Sequence, residues 1–137
     1  MRYLCIWLVI TATSFPLSSS EAMVVVANIE DKSITLSRQQ IRNVFMGGAL
    51  PYDLQAVALP PHNQTRVLFN TKVVGLTESR IQSYWAQMRF SGRKKPPMEL
   101  KNEAEVLQYL IDNPGALAYL SADTKLPDGL TVLYKSQ

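Results

Sequence analysis

The chain has 137 residues, 14 Lys and Arg against 11 Asp and Glu for a formal charge of +3, 47% hydrophobic residues, one Cys and one His. That length holds one modest domain, and 18% charged residues with 6 Gly and 8 Pro exclude disordered, collagen-like and low-complexity chains. A single cysteine and a single histidine, His62, exclude an internal disulfide, Cys/His zinc sites and histidine-based triads.

Arg2 precedes an apolar run over 3–10 that continues through Phe15, Pro16 and Leu17 to the small residues Ser18, Ser19, Ser20 and Ala22, the order of a secretory leader. The run is shorter than the roughly 20 apolar residues that span a bilayer. Cleavage is expected after Ala22 or, next, after Ser20, which divides the chain into a leader over 1–22 and one domain over 23–137 in the periplasm. Cys5 leaves with the leader, and no transmembrane segment remains.

Met23, Val24, Val25, Val26 and Ala27 form a continuous apolar run, which predicts a central, parallel strand buried on both faces. Ser37 and Gln40 have the form of a capping box for a helix over 37–46, with Ile41, Val44 and Phe45 at helical spacing and Gly47–Gly48 at its end. A strand is expected over 55–59, stopped by Pro60 and Pro61. Asn63 is a candidate cap for a helix whose apolar face is Val67, Leu68, Thr71 and Val74, broken at Gly75. Thr77 caps the next, where Ile81, Tyr84, Trp85 and Met88 recur as a core-facing stripe up to Gly92. After a basic, proline-stopped loop over 93–97, Asn102 and Glu105 open a helix carrying Ala104, Leu107, Leu110 and Ile111, closed by Pro114 and Gly115. Strands over 116–120 and 130–134 end the chain. Such alternation predicts one layered α/β domain.

Val24 to Asn28, the run from Leu36 and Ser37 through Ile41 and Phe45 to Gly47, Tyr84 and Trp85 ahead of Phe90, Ser91 and Gly92, and Asn113 through Leu120 fall in a familiar order. Taken together they resemble the phosphate-binding proteins of ABC-type uptake systems, in particular their short stand-alone relatives. The resemblance covers nearly all of 23–137. It implies an α/β fold, a single periplasmic-binding-protein-like lobe of type II with a mostly parallel sheet flanked by helices. It also implies a non-enzymatic substrate-binding protein without cofactor, serving phosphate or another small oxyanion to a membrane transporter or sensor. In that family two lobes clamp the anion, and this chain is similar to little more than the second. The family's anchor there is an arginine, an acidic residue and a glycine-serine-glycine-threonine turn at a helix start, where backbone N–H groups meet phosphate. Here Leu59 stands at the arginine position, Asn63 and Gln64 at the serine and following glycine positions, and Thr65 alone matches.

The candidate anion site is therefore Asn63, Gln64, Thr65 and Arg66, offering helix-end N–H groups, one hydroxyl and one guanidinium. The competing reading is ordinary capping with a solvated Arg66. His62 reads as an exposed loop residue. Arg89, Arg93, Lys94 and Lys95 are either solvated or a docking face for an acidic partner or lipid headgroups. The carboxylates are scattered over loops and helix starts, which argues against catalysis. Two functions follow: a solute-binding component for a transporter or sensor, or a ligand-free interaction module docking on a membrane receptor, sensor kinase or envelope assembly.

Overall fold

The capping box at Ser37 forms as its residues require: Ser37 Oγ accepts from Gln40 N at 3.2 Å, and Gln40 Oε1 accepts from Ser37 N at 2.9 Å. It opens α1 (Arg38–Phe45), which buries Ile41 and Phe45. The computed structural model describes residues 12–14 and 22–137, so the expected leader, apart from 12–14 and Ala22, lies outside the described residues. The other elements are β1 (Met23–Ala27), β2 (Gln55–Ala58), α2 (Gln64–Phe69), which runs straight into a π-helical turn (Asn70–Val74), α3 (Glu78–Phe90), β3 (Met98–Glu99), α4 (Glu103–Asp112), β4 (Ala116–Ser121) and β5 (Thr131–Lys135).

The strands make one five-stranded sheet in the order β3-β2-β4-β1-β5. β2 pairs in parallel with both β3 and β4, while β1 is antiparallel to both β4 and β5. Four strands thus point one way, and the sheet is mostly parallel in direction. β1 is the exception and corrects the expectation of a parallel first strand. Its five buried residues record cover on both faces. They carry no record of direction, which is set by partners far along the chain, such as Leu120 opposite Val24 and Thr131 opposite Ala27.

Two helical faces also differ from their predicted stripes. In α2 and the π turn the buried residues are Thr65, Arg66, Phe69, Asn70, Val73 and Val74, while Val67 and Thr71 are exposed. The inward face is rotated because two polar residues of the first turn point inward. The π turn closes with Gly75 N donating to Asn70 O at 2.7 Å, and Gly75 takes φ 73°, a left-handed conformation that favours glycine. In α4 the buried positions are Val106 and Leu110, with Ala104 and Ile111 exposed. β3, which no apolar alternation announces, follows Pro97 directly and pairs Met98 with Val57.

The helices meet the sheet through aromatics. Phe69 stacks on Tyr119 of β4 at 4.1 Å between ring centroids, and Phe45 meets Phe69 edge-on at 4.7 Å. α3 adds Ile81 and Trp85, and Tyr84 Oη donates to Met46 O at 2.8 Å, which ties α3 to the end of α1.

Candidate functional site

Because β2, β3 and β4 are parallel, their C-terminal ends open on one edge of the sheet, the place where α/β folds gather polar groups. Past β2 the chain is held rigidly. Leu59 is buried, its N–H donating to Tyr119 Oη at 3.1 Å and its carbonyl accepting from Arg66 Nη1 at 2.8 Å. Burial drives the Tyr119 hydroxyl well above the ordinary tyrosine range, only partly opposed by the Leu59 N–H and the Arg66 charge, so it stays neutral. Asn63 then caps α2, its Oδ1 accepting from Thr65 N at 2.9 Å and Arg66 N at 3.3 Å.

Arg66 is buried, not solvated. Its guanidinium makes a bidentate pair with Glu78, Nε to Oε1 at 2.5 Å and Nη2 to Oε2 at 2.9 Å, and Nη1 also donates to Glu99 Oε1 at 2.9 Å. With Leu59 O, these are four hydrogen bonds using all three nitrogens. Burial pushes the Arg66 pKa down, but the hydrogen bond and charge of Glu78, with Tyr119 and Glu99, more than offset it, and the net direction is upward. Glu78 sits in the first turn of α3, where the helix dipole favours a carboxylate.

The remaining donors are taken in the same way. Glu103, in the first turn of α4, accepts from Ser121 N at 2.5 Å and from Thr65 Oγ1 at 3.4 Å. A carboxylate of the chain thus sits on the Thr65 hydroxyl, while the helix-start amides of Thr65 and Arg66 are bonded to Asn63 Oδ1. Gln64 and His62 are exposed. The four residues predicted from sequence therefore split: Asn63 caps, Gln64 faces solvent, and Thr65 and Arg66 turn inward onto carboxylates. The cluster around Arg66 carries two carboxylates for one cation, which repels an anion.

Glu78, Glu99, Glu103, Tyr119 and Ser121 were not legible as site residues. The structure shows why: Thr65, Arg66, Phe69, Asn70 and Val73 lie on the buried face of α2 and the π turn while the predicted Val67 and Thr71 are exposed, and an inward arginine requires carboxylates. Behind Arg66 lies a cavity of about 70 Å³ lined by Phe45, Phe69, Trp85 and Tyr119, smaller than the hundreds of Å³ of a typical ligand pocket. Outside it an open groove of about 830 Å³ runs between α3 and β3, bordered by Gln82, Arg89, Lys95, Met98 and Glu99. Among the described residues, no group of three or more His, Cys, Asp or Glu could hold a metal ion. No helix among them is long and apolar enough to cross a membrane.

No protein-family model matches the sequence, and no curated protein sequence matches it. Solved structures do match in fold. An ABC-type phosphate transport receptor from Vibrio cholerae superposes with a TM-score of 0.60 at 13% identity, over 82% of this chain and 45% of that one. PstS from Borrelia burgdorferi gives 0.59 at 12% identity over 82% and 46%. A phosphate-bound structure from Clostridium perfringens gives 0.63 at 12% identity over 82% and 44%. This chain spans less than half the length of these proteins. At such identities the likeness shows the fold alone, that of a single periplasmic-binding-protein-like lobe.

Proposed function

We propose that this chain is a non-enzymatic, solute-binding-protein-like lobe that acts as a protein-interaction module, its anion anchor filled by its own carboxylates. The observation that carries this reading is Arg66, the one cation at the helix start, held by Glu78, Glu99 and Leu59 O. A phosphate approaching it must displace carboxylates already paired at hydrogen-bond distance, at the cost of breaking those pairs. Phosphate or another small oxyanion binds at Asn63 to Arg66 only weakly, with Kd no tighter than about 1 mM. Calorimetric titration with phosphate and sulfate tests this. Submicromolar phosphate binding would overturn the reading and restore the chain to the solute-carrying role of its structural neighbours.

The periplasmic location belongs to the same proposal and rests on the order of charge, apolar run and small residues over 2–22. Intact-mass measurement of protein from the periplasmic fraction should give a chain that starts at Met23, or at Glu21 if cleavage follows Ser20. A full-length mass in the membrane fraction would overturn it.

A further inference from the structure

α3 ends on a phenylalanine with almost nothing packed against it. Phe90 is 95% exposed, whereas the other exposed large hydrophobics lie between 42% and 53%. Gly92, at φ 68°, reverses the chain, and nothing lies within 4 Å of where its Cβ would be, so Phe90 stands on a projecting tip. The turn brings Arg93, Lys94 and Lys95 beside Arg89 and the ring, all of them exposed. The Lys94 stem lies over Gly47, which holds the turn against the end of α1.

The charge here is of one sign. From Ser79 to Met98 there is no Asp or Glu, against five cations. Among the described residues none of the five is in a salt bridge. The carboxylates bordering the adjacent groove, Glu78 and Glu99, are both engaged by Arg66. The rest of 22–137 carries more acidic than basic residues, so the molecule is polarised, with its positive pole at this tip.

We propose that the turn over 89–95 docks this protein on an anionic lipid surface, with the Phe90 ring entering the interface and Arg89, Arg93, Lys94 and Lys95 among the headgroups. The shape selects lipid over an acidic protein. A protein interface is built on a contiguous apolar core, and here one ring, 95% exposed, stands among cations. A fluid headgroup layer needs no complementary pocket: one aromatic side chain and a cluster of cations within a Debye length suffice for reversible attachment.

Co-sedimentation with vesicles tests this, using phosphatidylcholine with about 30% phosphatidylglycerol against phosphatidylcholine alone. Any contribution of the N-terminal apolar run appears on neutral vesicles and is common to all variants, so the readout is the partition specific to anionic vesicles. The parent should bind anionic vesicles and release them as salt rises from about 0.05 to 0.3 M. The triple variant Arg93→Ser, Lys94→Ser, Lys95→Ser should lose about a hundred-fold in partition, and Phe90→Ser about ten-fold. Thermal melts establish that each variant is folded. Equal binding to neutral and anionic vesicles, undiminished binding by the folded triple variant, or no binding to anionic vesicles at low salt would each overturn the proposal, the last in favour of an acidic protein partner.

Discussion

Trp85→Ala is expected to destabilise the domain by about 3–5 kcal/mol, a large share of the stability of a protein this size. Trp85 is 5% exposed and lies edge-on to Tyr84 at 5.0 Å between ring centroids. Its ring also approaches Gly47 so closely that a Cβ there would sit 3.2 Å from Cη2. On its other side is the cavity of about 70 Å³ shared with Phe45, Phe69 and Tyr119. Removing the indole enlarges that cavity. The rigid aromatic stack on Tyr119 cannot collapse into that space, which places the cost toward the upper end. Thermal unfolding followed by circular dichroism should show a midpoint lowered by about 10 °C or more. A shift of only a few degrees would mean that the ring is replaceable and that α3 is held by Ile81 and the Tyr84 hydroxyl instead.

α3 was legible because the information is local. Thr77, Ser37 and Asn102 each accept a backbone N–H from the residue three positions on, at 2.9 to 3.3 Å, as short polar side chains before apolar-periodic runs do. β1 was legible as an internal strand for a similar reason, since a run of five apolar residues has to be covered on both faces. Its direction was not legible. That is decided by β4 and β5, and the same run fits a parallel or an antiparallel ladder.

β3 consists of two exposed residues after two prolines, too short for a period of two to register. The chemistry of the candidate site was legible only in part, for a more instructive reason. Its position, at the end of β2 and the start of α2, follows from the strand, the prolines and the Asn63 cap, all local. Its chemistry depends on Glu78, Glu99 and Glu103, which arrive from three other elements. Glu78 and Glu103 do lie at helix starts, yet their side chains also reach back to Arg66 and Thr65, and Glu99 reaches Arg66 from β3. A cap and an ion-pair partner look the same in one dimension.

Arg66→Met keeps an unbranched apolar stem and removes the guanidinium, and it should cost about 2–3 kcal/mol. Breaking a fully buried pair costs about 3–5 kcal/mol. Here the Glu78 and Glu99 side chains retain 28% and 45% of their exposure and can turn toward water, which lowers the figure. What remains is the Leu59 carbonyl, left without its partner beside a buried Tyr119, and the bidentate bond to Glu78. Arg66→Lys should recover less than half of the loss, because one ammonium cannot span Glu78, Glu99 and Leu59 O at once. Glu78→Gln in the Arg66→Met background should cost much less than in the parent, giving a coupling of about 1–2 kcal/mol in a double-mutant cycle by urea unfolding. Glu99→Gln, on the more exposed partner, should couple more weakly. This series separates the two roles open to the arginine. A guanidinium reserved for an incoming anion would be dispensable for stability, and its removal would abolish phosphate binding while leaving the urea midpoint in place. A guanidinium spent on Glu78 and Glu99 gives the opposite result, a large fall in midpoint with only weak anion binding to lose. Arg66→Met as stable as the parent, or zero coupling to Glu78, would therefore remove the observation on which the interaction-module reading stands.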